Sequence, residues 1–352
     1  CNFPNHRAAA LGVLDLAADA PRAAVAAAVA GWDGLALENA VHGAAGCAAL
    51  VRSSEEWRAH PQAAAVAALE LIEVERIGDA PPEPLTAADR PLAGVRVLDL
   101  TRVLAGPTCA RTLAEHGADV LKISAPHLPG SRDMDIDTGL GKLSAFLDLR
   151  QEADAATLAA LIRDGRADVF SQGYRPGALA RRGFGAETLA RLRPGIVVVE
   201  LSAWGRLGPW SARRGFDTIV QCASGMAQIE GAGRPRLMPV SAIDYVSGYL
   251  MAFGAMVALL RRARDGGSWR VRVSLARTGQ WIGERGLLEA AAVAAVPKEM
   301  PEAEIARFSQ ETPSVFGRIR HLAPVARMAE TPPRWARPPV PLGHDAPAWP
   351  PR

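Results

Sequence analysis

The chain has 352 residues, 49% hydrophobic and 22% charged, with a formal net charge of +3. That composition belongs to a soluble globular protein, one large domain or two ordinary ones. The charge is small and spread along the chain, so neither nucleic acid nor a membrane is expected as a partner. Four cysteines, at positions 1, 47, 109 and 222, stand too far apart for a CxxC pair. No zinc or redox motif is supported, and reduced thiols in the cytoplasm are the expectation.

The chain opens with Cys1 inside what reads as a motif, Asn2-Phe3-Pro4-Asn5-His6-Arg7, so upstream sequence is expected to be missing; no signal peptide is visible. Residues 8–70 are Ala-rich, and apolar positions recur at helical spacing through Ala23–Ala30 and Ala63–Leu71. Ser53-Ser54-Glu55-Glu56-Trp57 has the hydroxyl and early acids of a helix start. Gly78-Asp79-Ala80-Pro81-Pro82-Glu83-Pro84 reads as a stiff linker and places a boundary near residue 85.

Short apolar runs then alternate with helical segments. Strands are predicted at Val95–Leu100, Asp119–Ile123, Ala167–Phe170, Ile196–Val199 and Trp269–Leu275. Helices are predicted at Pro107–His116, Ala153–Asp164, Ala186–Leu192 and Tyr249–Leu260. This order predicts an α/β fold with a doubly wound, mostly parallel sheet. Ligands of such sheets gather at the carboxyl ends of the strands, where the loop Thr101–Pro107 would lie. The apolar run Tyr249–Leu260 is too short to span a bilayer. Beyond residue 300 the pattern fades. Eight prolines in 331–352, with Trp335 and Trp349, suggest an extended segment laid on a surface or on a partner chain, or a partly disordered tail.

Several chemistries lack their signatures. No GxGxxG follows a strand, so nicotinamide and flavin dinucleotides are not supported; Gly231-Ala232-Gly233 reads as a turn. Asp133, Asp135 and Asp137 lack the glycine and closing glutamate of a calcium loop, so no metal is expected. The loop Gly173–Leu179, followed by Arg181, Arg182 and Gly183-Phe184-Gly185, offers an aromatic face and guanidinium groups for a phosphate-bearing nucleotide, or is a solvent-facing turn. Trp204–Trp210 reads as a mobile cover or a packed turn. Asp244 is a lone carboxylate in an uncharged stretch ahead of an apolar helix. It is either a plain helix cap or a carboxylate nucleophile kept ionised by the helix dipole.

Taken together, these residues resemble the class III CoA-transferases, the family of formyl-CoA transferase and carnitine CoA-transferase. The resembling stretches are Pro91–Leu100 leading into Val103–Pro107, Gly117–Lys122, Phe146–Arg150, Arg175–Gly177 through Gly183–Gly185, Gly215-Phe216-Asp217, and Asp244 with Gly248. The resemblance implies a Rossmann-like large domain, a smaller second domain and an interlocked homodimer. It implies Asp244 as nucleophile, acyl-CoA and a small carboxylic acid as substrates, and a CoA site lined by Val103, Leu104, Ala105, Leu147, Arg150, Tyr174, Arg175 and Arg181. It divides the chain into a small-domain-like segment (1–85), a core (86–290) and a Pro-rich extension (291–352). Residues 1–85, with Trp32, Arg52 and Trp57, look like the family's small-domain and C-terminal portion, yet they precede the core, as in a tandem or rearranged protein.

Some positions depart from the family. Ser124 and Ala125 replace an acid and a base, Gly173 replaces an asparagine, and no polyglycine loop follows residue 280. The same family includes acyl-CoA racemases, which need a proton-shuttling histidine before Asp217; this chain has Phe216 there. A non-catalytic CoA-binding protein is the other alternative, and Asp244 argues against it.

Overall fold

The computed structural model describes residues 3–85, 88–231, 234–297 and 299–351. Cys1 and Asn2 of the N-terminal motif, and Ala232 and Gly233 of the expected turn, lie outside them. The helices α1 (Pro4–Val13), α2 (Arg22–Ala30), α3 (Gly34–Gly43), α4 (Ser54–Ala59) and α5 (Pro61–Ala67) come first. There follow β1 (Glu73–Gly78), β2 (Arg96–Leu100), α6 (Ala105–Glu115), β3 (Asp119–Ser124), α7 (Arg132–Thr138), β4 (Lys142–Phe146), α8 (Glu152–Arg163), β5 (Val169–Gln172), α9 (Ala186–Leu192) and β6 (Val197–Ser202). The remainder holds α10 (Asp217–Ala223), α11 (Met226–Glu230), α12 (Ala242–Asp265), β7 (Ser268–Ser274), α13 (Leu275–Gly283), α14 (Ala290–Ala294), α15 (Glu302–Phe308), β8 (Ser309–Ser314) and β9 (Gly317–Leu322).

These elements form two compact units, each discontinuous in sequence. One gathers residues 1–71, 202–243 and 274–284; the other gathers 72–201, 244–273 and 285–352. The division near residues 85 and 290 read from the sequence is contiguous, whereas these units are not.

The larger unit is built on a seven-stranded sheet in the order β1-β7-β6-β5-β2-β3-β4. The pairs β2–β3, β3–β4, β2–β5 and β5–β6 are parallel; β1 and β7 pair antiparallel. The parallel strands are apolar on both faces because helices cover both. Val97, Val120, Val169 and Val197 pack with Cys109 and Leu113 of α6 and with Met251, Ala252 and Ala255 of α12. On the other face Leu98, Leu121 and Phe170 pack with Leu158, Leu161 and Ile162 of α8 and with Leu189 of α9. Each fully buried aliphatic side chain contributes about 2 kcal/mol relative to exposure. The mostly parallel, doubly wound α/β sheet read from the sequence is present.

Four strands lie where the sequence reading placed none. β1 falls between the helical stretch and the linker, with only Gly78 inside the latter; β4 coincides with no predicted element, and β8 and β9 lie beyond residue 300. Helix α12 starts seven residues earlier than predicted and runs for 24 residues. It is therefore long and apolar enough to cross a membrane by length and composition, contrary to the sequence expectation. Its buried Met251, Ala252, Ala255, Ala258 and Leu259 belong to the sheet's core cluster, so here the helix is a packed core element.

The segment 331–351 carries neither helix nor strand and is laid along the larger unit. Trp335 Nε1 donates to the Arg111 carbonyl at 3.1 Å, and Trp349 Nε1 to the Leu161 carbonyl at 3.1 Å. Asp345 accepts from Ser144 N–H at 2.8 Å and donates its own N–H to the Ser144 carbonyl at 2.7 Å. The segment thus occupies the outer edge of β4, an edge that would otherwise present unpaired backbone groups.

In the smaller unit, α4 begins with a capping box. Ser53 Oγ accepts from Glu56 N–H at 3.1 Å, and the Glu56 carboxylate accepts from Ser53 N–H at 2.6 Å. The loop Trp204–Trp210 is a packed turn. Buried Gln62 donates to the carbonyls of Trp204 and Leu207, both at 2.9 Å, and accepts from Trp210 N–H at 2.7 Å.

Candidate functional site

In the larger unit, β2 lies between β3 and β5. The chain runs from β2 outward through β3 and β4, then returns to β5 and β6 on the other side. That reversal makes the crevice beyond the carboxyl ends of β2 and β5 the natural ligand site of such a sheet. Its walls are the loop after β2, with Val103, Leu104 and Ala105, and the loop after β5, with Tyr174, Arg175 and Arg181. Leu147 and Arg150 follow β4 on the same edge. The residues singled out in these loops therefore share one edge of the sheet.

The loop after β2 is strained. Val103 has a φ of +73°, a left-handed conformation that costs a β-branched residue on the order of 1–3 kcal/mol. Leu104 precedes α6, whose first turn has no side-chain cap and no acidic residue. The N–H groups of Ala105 and Gly106 lack intrahelical acceptors by α-helix geometry and mark the positive end of the helix dipole. Gly106 is required, since a Cβ there would fall 2.3 Å from Thr101 Cβ.

Asp244 is buried, at 6% exposure, in the first turn of α12. The helix starts at Ala242, which places Asp244 two residues inside it, in its first turn. One turn later, about 6 Å along the axis, Gly248 packs on α6: a Cβ there would lie 2.5 Å from the Ala105 carbonyl oxygen. The next residue, Tyr249, reaches Arg111 further along α6 with its hydroxyl. Tyr245, on the other side of Gly248, also lies beside Arg111, so it is the Gly248 contact that seats the start of α12 on the first turn of α6. Arg111 also binds Asp137 at 2.8 Å. Asp137 of the acidic trio is thus engaged with a guanidinium, and Asp135 accepts from Ser131 N–H at 3.0 Å. Among the described residues no three His, Cys, Asp or Glu side chains are grouped for a metal ion.

The remaining residues sit further out. Tyr174 is half-buried, its N–H donating to Gln172 Oε1 at 2.9 Å, and burial pushes its hydroxyl pKa up. Arg150 is exposed and held by Asp148, Nε to Oδ1 at 2.9 Å and Nη2 to Oδ2 at 2.6 Å. Its hydrogen bonds pull the Asp148 carboxyl down to about 2. Leu147 is buried, while Arg175 and Arg181 are exposed. Arg182 Nη1 donates to the Leu149 carbonyl at 2.7 Å and ties the β5 loop to the β4 loop.

Sequence reasoning missed a charged cluster beneath the β2 loop. Asp99 and Lys142 are almost sealed from solvent and pair at 2.7 Å. Lys142 Nζ also donates to the Pro107 carbonyl at 2.8 Å. Burial pushes Lys142 down to about 8, against the pull of Asp99. For Asp99 burial acts upward, but Lys142, Lys122 and the Thr101 hydroxyl outweigh it and hold the carboxyl below its ordinary value. A lysine inside the run Lys142–Phe146 was the available signal.

In the smaller unit, Phe216 precedes α10 and stacks on Phe3, with centroids 5.7 Å apart; His6 meets it edge-on at 5.6 Å. The buried Asp217 carboxylate accepts from Gln221 Nε2.

Comparison with known proteins decides the family. The model of CoA-transferase family III matches residues 92–312, more than half of the chain. The chain belongs to this family. Among relatives in CoA-transferase family III, it is similar to the acetyl-coenzyme A transferase nodX of Hypoxylon pulicicidum, 37% identical over 57% of this chain and 35% of that protein. It is also similar to the succinyl-CoA:glutarate CoA-transferase of Mus musculus, 35% identical over 50% and 43% of the two chains. The crystal structure of the hypothetical protein Rv3272 from Mycobacterium tuberculosis superposes with a TM-score of 0.51 and 30% identity, covering 58% of each chain. The chain spans between about a third and a half of the length of the curated relatives it matches.

Proposed function

We propose that this protein moves CoA from an acyl-CoA thioester to a carboxylic acid, with Asp244 as the covalent nucleophile. The observation that carries this reading is the burial of a single carboxylate in the first turn of α12, one turn before Gly248, whose backbone sits on the Ala105 carbonyl in the uncapped first turn of α6. A carboxylate is a weak nucleophile, so it must be held close to the thioester and the developing oxyanion must be stabilised. The N–H groups at the start of α6 are suited to that second task.

In the first step the Asp244 carboxylate attacks the donor carbonyl. The C–S bond breaks, CoA thiolate leaves, and a mixed anhydride remains. The thiolate then attacks the Asp244 carbonyl, releasing the donor acid and leaving an aspartyl-CoA thioester. The acceptor carboxylate attacks that thioester and frees the thiolate, which takes the acceptor acyl group and regenerates Asp244. No proton is gained or lost overall. Tyr174 offers an aromatic face to the nucleotide, Arg150, Arg175 and Arg181 offer charge to its phosphates, and Leu147 and the Val103–Ala105 loop line the channel. The names of the relatives, which include acetyl- and succinyl-CoA transferases, support CoA transfer. An interlocked pair of copies, as the family resemblance implies, completes the reading.

The test is incubation with a panel of acyl-CoA thioesters, followed by mass spectrometry of the Asp244 peptide, with Asp244→Ala as control. A CoA or acyl adduct on Asp244, absent in the variant, is expected. CoA binding by calorimetry with no adduct from any donor would make the protein a non-catalytic binder.

A further inference from the structure

The cluster beneath the β2 loop is larger than an ion pair. Asp99 of β2 and Lys122 of β3 are register partners on neighbouring parallel strands, and Lys142 opens β4. All three are buried. Asp99 Oδ1 accepts from Thr101 N–H at 3.0 Å and from the Thr101 hydroxyl; Asp99 Oδ2 accepts from Lys142 Nζ. Lys122 Nζ reaches the Thr101 carbonyl at 3.4 Å, and Lys142 Nζ the Pro107 carbonyl at 2.8 Å. The segment Thr101–Pro107 is therefore tied at both ends to one buried cluster. Between the ties lie left-handed Val103 and the first turn of α6.

A buried ion pair is a poor device for stability, because apolar side chains of similar volume usually serve as well. It is a good device for fixing one conformation of a backbone that would otherwise relax, and here that backbone carries unfavourable dihedrals. The cluster also holds two cations against one anion, a positive balance under the place where negative charge would develop on a carbonyl oxygen.

We propose that Lys142, with Asp99, is a positioning residue of the transfer reaction: the pair holds the strained Thr101–Pro107 turn so that the first N–H groups of α6 face the carbonyl attacked by Asp244. This rests on the transferase reading for its catalytic part, but the clamp itself has a readout independent of activity.

The experiment compares the full chain with Lys142→Met, which leaves Asp99 balanced by Lys122, and with the Asp99→Asn/Lys142→Met double variant, which leaves Lys122 as the cluster's one buried charge. Hydrogen exchange is followed at the amides of residues 102–106 and, as reference, at those of β3. Melting temperature and steady-state kinetics are measured on the same samples. Lys142→Met is expected to keep a melting temperature within a few degrees of the parent, and the double variant to fall below it. In Lys142→Met the loop amides should exchange at least tenfold faster while β3 is unchanged, and kcat should fall about 30-fold with KM for acyl-CoA moving less than threefold. Loop exchange equal to the parent's in that variant overturns the clamp, as does a uniform rise across the sheet. Faster loop exchange with unchanged kcat overturns the positioning role. If the parent transfers no CoA at all, the transferase reading fails while the exchange data still decide the clamp.

Discussion

The backbone of Gly248 is seated on the carbonyl oxygen of Ala105, so a Cβ at residue 248 would fall 2.5 Å from that oxygen and 2.7 Å from Thr108 Cβ. Thr108 is fully buried and has no room to yield. Gly248→Ala would gain up to about 1 kcal/mol of helix propensity, but overpacking costs about 1–3 kcal/mol. A net loss of about 1 kcal/mol is expected in urea unfolding. CoA transfer should fall about tenfold, since Asp244 sits one turn away on the displaced helix. A variant as stable as the parent would show that the two helices do not touch here.

The exposed arginines differ in what already holds them. Arg150 is bound at two points by Asp148, so a phosphate must compete for it. Arg181→Ala is expected to weaken CoA binding about tenfold and Arg150→Ala about threefold, by calorimetry at low salt. Asp148→Asn should tighten binding, because it frees Arg150 and removes a negative charge. Weaker binding in Asp148→Asn would mean that Asp148 positions Arg150 rather than occupying it.

The parallel core was legible because Val97–Leu98, Val120–Leu121 and Val197–Val199 are buried on both faces and read as continuous apolar runs. Asp244 was legible as a lone charge in an apolar neighbourhood. Strand β4 was not, since Lys142 at its start is tolerable only through its pairing with Asp99, a partner 43 positions away. β1 was hidden for a related reason. Its Glu75 is matched by Arg270 and Arg272 across the antiparallel pair, a complementarity that no local pattern reveals. The early start of α12 was missed because Tyr245, Ser247 and Gly248 are modest helix formers, held helical by packing rather than propensity.

Glu115 at the end of α6 is buried at 3% exposure, and burial raises its carboxyl to about 7, against the pull of Arg111 and Arg90. A carboxyl whose folded pKa lies above its unfolded one favours folding most when protonated. Its contribution is complete below about pH 4.5 and is lost as pH rises through about 7. The shift corresponds to about 3 kcal/mol. Glu115→Gln should therefore be more stable than the parent at pH 8 and nearly equal to it at pH 4.5, by thermal unfolding at both. A difference of the same size at both values would remove the titration from the explanation.

The Pro-rich segment makes the opposite claim from a loose tail. The Trp335 ring lies under the Arg111 guanidinium, 5.5 Å from its centroid, and that of Trp349 under Arg96 at 5.4 Å. Both indoles also donate to backbone carbonyls, of Arg111 and Leu161. Each ring thus combines partial burial, a cation–π contact and a hydrogen bond. Trp335→Ala and Trp349→Ala should each lose about 2 kcal/mol in urea unfolding, below the 3–5 kcal/mol of a fully buried Trp because both rings are half-exposed. The rings dock at the ends of different helices, α6 and α8, so the two losses should add in the double variant within about 0.5 kcal/mol. A tail free of the sheet would leave stability within about 0.5 kcal/mol of the parent in all three.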